Sequence, residues 1–553
     1  MVPSLAPEQS YPHQVTNQVP PLTPYDAAAD AALLEGLIRE GAGWAEKDVR
    51  RLGRQAGGET AQRWAEQANR YEPELRTHDR YGNRIDEVEF HPSWHHLLET
   101  AIGEGLGAAP WADSRPGAHV ARIAGSLVWG HTEAGHGCPT AMTYAVVPAL
   151  REQPDLARIY EPLLVSRIYD PGLRVPTSKP GLIAGMGMTE KQGGSDVRTN
   201  TTAATPTAEP GVYALHGHKW FTSAPMSDLF LVLAQAPDGL SCFLVPRILP
   251  DGTRNPFRIQ RLKDKLGNRS NASSEPEFDG TIGWLVGPEG NGVKTILQMV
   301  NCTRLDCTMM SATLMRKTLV EAGHHAQHRS AFGASLINQP LMRNVLADLA
   351  LESEAATTLT LRLAGAADRA IRGDQHEAAF RRVATGIGKY WVTKRGPAFT
   401  AEALECLGGN GYVEESGMPR HYREAPLQSI WEGSGNVNAL DVLRAVGRSP
   451  DTAEALLAEL ALAHGADPRL DAAVVRLKQQ LPGAEARPAG ARRLVELMAL
   501  VLQASLLVRH SSPAVADAFC ATRLGGDWGH AFGTLPDSAD LTAILTRALP
   551  NPA

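Results

Sequence analysis

The chain has 553 residues, 43% hydrophobic and 21% charged, which is ordinary for a globular protein and leaves room for three or four domains. Its net charge of −6 and pI near 6.3 give no overall field for nucleic acid or an anionic membrane, so any such binding needs a local patch. Six scattered cysteines without a Cys-x-x-Cys fit reduced thiols in a cytoplasm. No basic leader and no apolar run of roughly 20 residues predicts export or a membrane span.

The first two dozen residues are rich in Pro, Gln and Ser and read as an extended arm, after which Leu33, Leu34, Leu37 and Ile38 share a helical face. Helix-like segments continue, so residues 1–182 read as an arm and a helical domain. Short β-type runs follow, Leu229–Leu233 and Cys242–Val245, separated by Pro-Asp-Gly, and 183–290 reads as a β domain. Over 291–447 long helices return, with Leu341, Val345 and Leu349 at four-residue spacing. In 448–553 Leu494, Leu497, Met498, Val501 and Leu502 form a helical stripe, which predicts an additional helical domain.

Several segments carry the chemistry. Met186–Asp196 holds two hydroxyls, a glycine pair and a terminal Asp, which suits a backbone wrapped around a polar ligand, and equally an ordinary surface turn. His218–Ser223 sets Trp220 and Thr222 two residues apart, on one face if the segment is a strand. Arg329–Gly333, Leu407–Tyr412 and Ser429–Asn436 add a guanidinium fork, a glycine-rich turn and a carboxylate before a helix. No Gly-x-Gly-x-x-Gly follows a strand, and Gly386-Ile-Gly-Lys389 lacks the upstream glycine of a phosphate loop. His91 and His95, and His324 and His328, are spaced by a helical turn without a third ligand, so no metal is expected.

Together and in this order, these segments resemble the acyl-CoA dehydrogenase family, whose Thr-Glu-x-x-x-Gly-Ser-Asp loop holds a flavin. The resemblance implies a mainly α fold: a helical N-terminal domain, a β-barrel or sandwich in the middle, and a four-helix bundle, here followed by the extra helical domain. It implies FAD, contacted by Met186, Met188, Thr189, Gly194, Ser195, Trp220, Phe221 and Thr222, with Thr222 at the flavin N5. It further implies Ile430, Trp431, Gly433, Ser434, Asn436, Phe332 and Gln339, with Arg329 clamping the FAD pyrophosphate of a neighbouring subunit and Leu407, Gly408, Gly409 and Gly411 at the adenine half. Glu432 aligns with the catalytic base, which takes a proton from the carbon α to a thioester.

The detail of 186–196, 262–273, 430–436 and Arg39–Trp44, with the added C-terminal domain, resembles the branch of that family tied to the adaptive response to DNA alkylation. That branch implies a cytoplasmic homotetramer, weak isovaleryl-CoA-type dehydrogenase activity and binding of double-stranded DNA. A metabolic dehydrogenase for a short or branched acyl-CoA, with no DNA role, is the alternative. Two departures stand out: Trp431 precedes the base where a smaller aromatic is usual, and Asn301 replaces an acidic residue that places the acyl-CoA. Residues 448–553 carry ten Lys/Arg and eleven Asp/Glu, but 469–493 is locally basic. The candidate DNA contacts are therefore Arg444, Arg469, Arg476, Lys478, Arg487, Arg492 and Arg493.

Overall fold

The computed structural model describes residues 14–549; the first half of the expected arm, 1–13, lies outside them. The described part of the arm lies along the far end of a long helix. Asn17 exchanges bonds with Ser330, the Pro20 carbonyl faces His324 Nε2 at 2.8 Å, and Tyr25 Oη accepts from Lys317 at 3.0 Å.

Helices Ala31–Arg39, Glu46–Ala56, Glu59–Arg70, Pro92–Gly103, Ala118–Trp129, Gly137–Leu150 and Pro154–Leu164 follow. One feature departs from the all-helical expectation: strands Glu74–His78 and Arg84–Glu89 pair as an antiparallel hairpin. Its cue is the Asp79–Asn83 turn, where Asp79 Oδ1 accepts from the amides of Tyr81 and Asn83.

Eight strands between Ala184 and Val286 form one mixed sheet. Its central hairpin, Leu229–Ala236 with Gly239–Pro246, turns at Pro237-Asp238 and pairs Leu229 with Pro246. The run Leu229–Ala234 does not alternate with polar residues because both faces are covered. Leu229, Leu231 and Leu233 pack on Tyr144, Val146 and Leu150 of the helical domain. Phe230, Val232 and Ala234 pack on Phe243, Val245 and Phe257 inside the sheet domain. Each such fully buried side chain contributes about 1.5–3 kcal/mol, so the sheet is welded to the helices that flank the site.

Helices Gly292–His328, Pro340–Ile371, Gln375–Glu405 and Gly435–Arg448 make the bundle. In the first of these every residue from Cys302 to Val320 is buried, and its charges are matched: Asp306 by Arg122 at 2.6 Å, and Arg304 by Asp441 at 2.7 Å. The C-terminal helices start on prolines at 450, 468 and 513, where the missing N–H costs nothing. Of the expected stripe, Leu494, Met498, Val501 and Leu502 are buried and Leu497 is partly so. Ion pairs Arg362–Glu459 at 2.7 Å and Arg523–Asp348 at 2.5 Å fasten these helices to the bundle.

Candidate active site

Glu432 lies in the loop between the short turn Ala425–Ser429 and helix Gly435–Arg448, with φ +58°. A side-chain-bearing residue pays about 1 kcal/mol or more for that left-handed conformation, so something must hold it. Three donors do. Lys389 Nζ donates to the carbonyls of Trp431 at 2.8 Å and Gly433 at 2.5 Å, Arg304 Nε to that of Glu432 at 3.2 Å, and Asn438 Nδ2 to that of Gly433 at 2.5 Å. The carboxylate then accepts from Thr303 Oγ1 at 2.7 Å. Burial pushes the Glu432 carboxyl above the usual range, against the pull of the Thr303 hydroxyl and the charges of Lys389 and Arg304. Lys389 itself is 1% exposed, and burial lowers its ammonium.

The sheet domain supplies the opposite wall. Burial raises the Cys138 thiol to about 12, with the Ser223 hydroxyl lowering it and the Glu432 charge raising it further. Trp220 and Phe221 are not in a strand; they fall in the break between Val212–His218 and Thr222–Ser223, because Lys219 turns inward. Lys219 Nζ meets Glu190 Oε1 at 2.7 Å, both side chains fully buried, which ties the 186–196 loop to this segment. Lys263 Nζ sits 3.3 Å from the Trp220 ring centroid and covers one indole face. Thr222 is 1% exposed, and its Oγ1 has no partner among the described residues.

In the glycine-rich loop Met186 is buried in strand Ala184–Gly187, and Met188 and Thr189 are half-buried, the Thr189 carbonyl accepting from Trp220 N at 2.8 Å. Gly194 lies so near Thr189 that a Cβ there would come within 2.4 Å of Thr189 Oγ1. Ser195 is exposed. Around the base, Ile430 is exposed, the Trp431 indole donates to Gln428 Oε1 at 3.1 Å, Ser434 is the residue before the helix, and Asn436 is exposed.

One chain does not bring every expected contact together. From Thr303 to Arg329 the continuous helix rises roughly 39 Å, so Arg329, Phe332 and Gln339 lie at the far end of the bundle. Gly388 is next to Thr308 and Gly396 next to Ser311, so the two helices run in the same sense and Leu407, Gly408, Gly409 and Gly411 also lie toward that end. Arg329 donates to the Asn17 carbonyl, Gln339 Nε2 to that of Ala331 at 2.9 Å, and Gly408 and Gly409 are exposed. Phe332 is fully exposed, as are most of Leu341 and Tyr412.

The basic candidates separate likewise. Arg469 is held by Asp467 and Asp517, each at 2.6 Å, and Arg487 is spent on the carbonyls of Gln480 and Pro482. Arg492 Nε donates to Asn436 Oδ1 at 2.8 Å, beside the Glu432 loop. Arg444, Arg476, Lys478 and Arg493 are exposed and form no ion pair among the described residues. Of the histidines weighed as metal ligands, His91 caps helix Pro92–Gly103 and His95 Nδ1 faces Tyr169 Oη at 2.8 Å. A cavity of about 630 Å³ at the start of helix Gly292–His328 is lined by Arg198, Gln235, Asn291, Lys294, Gln298 and Asn301.

Sequence reasoning missed Thr303, Arg304 and Lys389. The first two sat in the Asn301–Arg304 segment, noted only for Asn301. The signal for Lys389 was the pair Gly386 and Gly388: a Cβ at 386 would strike Val442 and one at 388 would strike Leu363. These glycines let neighbouring helices close in and leave Lys389 beneath the loop.

Residues 17–171 match the model of the adaptive response protein AidB N-terminal domain, 185–281 that of the acyl-CoA dehydrogenase middle domain, and 290–447 that of the acyl-CoA dehydrogenase C-terminal domain. The structure of Caenorhabditis elegans ACDH-11 in complex with C11-CoA is similar with a TM-score of 0.83 and 26% identity, over 92% of this chain and 93% of its own. An acyl-CoA dehydrogenase from Bacillus anthracis complexed with FAD, 18% identical over 83% and 85% of the two chains, shares the fold at a TM-score of 0.65. The fold is thus acyl-CoA dehydrogenase-like. The AidB protein of Escherichia coli (strain K12) is 46% identical over 517 residues, 93% of this chain and 94% of its own. The chain belongs to the acyl-CoA dehydrogenase family, and within it to the AidB branch.

Proposed function

We propose that the chain is an FAD-containing acyl-CoA dehydrogenase-type protein of the DNA alkylation response, with Glu432 as catalytic base, weak activity on an isovaleryl-type thioester, and affinity for double-stranded DNA. The observation that carries the catalytic part is the Glu432 carboxylate, held at a strained φ by donors to three successive carbonyls and tuned by Thr303.

The residues fit FAD. Thr222 Oγ1 is a buried hydroxyl with no partner among the described residues, and it suits a polar atom of a flat ring placed beside Trp220. The flavin, when bound, supplies a two-electron acceptor for the hydride of a thioester. Glu432 takes the α proton, and desolvation of its carboxyl favours the protonated form, so it holds a proton more readily than an ordinary surface glutamate. Arg198 and Lys294, in a cavity lining without a carboxylate, suit the phosphates of an acyl-CoA, and the ACDH-11 complex with C11-CoA supports that ligand class. The separation of Arg329 and 407–411 from Glu432, and the bare Phe332 and Tyr412, support a cofactor shared between copies of a homotetramer.

Arg444, Arg476, Lys478 and Arg493 are the free cations on which DNA binding rests, together with the relationship to AidB. All six cysteines are free, which supports a cytoplasmic setting. A second reading, a metabolic short- or branched-chain dehydrogenase whose C-terminal helices serve assembly alone, is favoured by Arg469 and Arg487 being occupied within the chain. A thioester titration of the flavin beside a duplex-DNA shift at low and high salt separates the two: DNA retardation that fades with salt supports the first, its absence the second.

A further inference from the structure

Arg492 opens helix Ala491–His510 of the C-terminal domain, and Asn436 is the second residue of helix Gly435–Arg448, four positions past Glu432. Their 2.8 Å hydrogen bond holds the guanidinium against the start of that helix. A third element arrives from the bundle: a Cβ at Gly435 would meet Lys394 Cε at 2.7 Å and Arg492 Nη2 at 3.6 Å. Two cations thus crowd onto one glycine. Neither forms an ion pair among the described residues, although most arginines nearby do: Arg304 and Arg382 share Asp441, and Arg448 takes Glu485. The first turn of helix Gly435–Arg448 carries no acidic residue, and Ser434 makes no side-chain capping bond. Both side chains reach solvent, and partial burial together with the neighbouring Arg492 lowers the Lys394 ammonium. Like charges set side by side beside free helix amides are the arrangement an anion stabilises.

We propose that Arg492 and Lys394 form a clamp for the diphosphate of FAD, through which the C-terminal domain, absent from shorter members of this fold, takes part in holding the cofactor. The inference rests on the FAD reading above, in which Ser434 and Asn436 contact the cofactor. It reassigns Arg492 from DNA to the flavin. The clamp supplies charge from the same chain as Glu432, whereas that chain's own Arg329 lies at the far end of the bundle beside Asn17.

The test is FAD uptake by the full-length apoprotein, followed by quenching of flavin fluorescence, for wild type, Arg492→Ala, Lys394→Ala, the double variant and Arg492→Lys. Duplex-DNA affinity is measured on the same preparations. The clamp predicts about tenfold weaker FAD binding for each alanine variant, a larger loss for the double variant, partial recovery with lysine, a difference that narrows as salt rises, and DNA affinity unchanged. Wild-type-like FAD affinity in both alanine variants overturns the clamp. So does a loss confined to DNA binding, which makes the pair a contact for nucleic-acid phosphates. A wild-type chain that takes up no FAD overturns the cofactor reading, and this inference with it.

Discussion

Thr303 Oγ1 donates to Glu432 Oε2 at 2.7 Å, the one side-chain hydrogen bond on that carboxylate among the described residues. It opposes the burial that raises the carboxyl, so removing it leaves the raising effect unopposed by a hydrogen bond. Flavin reduction by a thioester should therefore rise with pH as Glu432 deprotonates, and Thr303→Val should shift that limb to higher pH. Stopped-flow reduction across a pH series measures the shift; a limb that moves to lower pH contradicts the assignment. The stability sign follows. A carboxyl whose folded pKa is raised contributes stability that is full at low pH and declines as pH rises through that value. Glu432→Gln should thus be at least as stable as wild type at pH 8 by thermal melting.

Lys389 gathers the carbonyls on either side of Glu432. Lys389→Met keeps the volume and removes the donor, leaving the Trp431 oxygen without a partner and the Gly433 oxygen with Asn438 alone, at about 1–3 kcal/mol. Denaturant unfolding should register that loss. With the loop released from φ +58°, kcat should fall more than KM rises; a change in KM alone argues that Lys389 does not position the base.

Glu459 joins the C-terminal domain to the bundle through Arg362 at 2.7 Å and also pairs with Arg509 of its own domain at 2.5 Å. Burial works against its ionisation, but the two arginines prevail and hold the carboxyl at about 2. Its contribution is present above the ordinary glutamate range and is lost as pH falls toward about 2. Glu459→Gln removes the charge partner of the half-buried Arg509 and leaves Arg362 to Glu377 alone, and should cost about 1–3 kcal/mol. Hydrogen exchange should quicken first in Pro450–Ala461 and Ala491–His510; uniform quickening across the chain argues against a local fastening.

A cofactor site shared between copies has a complementation signature. On the proposed reading, Glu432→Gln and Arg329→Ala should each be nearly inactive, one for want of the base and the other of a phosphate contact. Refolded together, they should regain part of the wild-type rate through hybrid sites with one intact residue from each chain. No recovery in verified mixed oligomers places both residues in the same chain's site.

Much of the fold was legible because period and punctuation agree with it. Leu494–Leu502 repeats every three to four residues, and Pro450, Pro468 and Pro513 mark helix starts. The hairpin at 74–89 was harder, since its strands are short, charged and half-exposed and resemble a polar helix surface. At the site, residues inside contiguous motifs are legible, while Lys389 is not: its partners are backbone carbonyls more than 40 positions away, and the local cue is the Gly386 and Gly388 pair that lets the helices close in around it. Trp220 was placed on a strand by spacing alone, and the buried Lys219–Glu190 pair turned that segment instead. Arg492 looked like one cation of a basic stretch until Asn436 brought it to the Glu432 loop.

The most direct test of Glu432 as the base of a flavin site is an anaerobic titration of the FAD-loaded protein with isovaleryl-CoA, following the visible flavin absorbance. Wild type should bleach slowly, and Glu432→Gln, with the same flavin content, should reduce about 10²- to 10⁴-fold more slowly. Equal bleaching of both proteins, or none in wild type with any short or branched thioester, contradicts it.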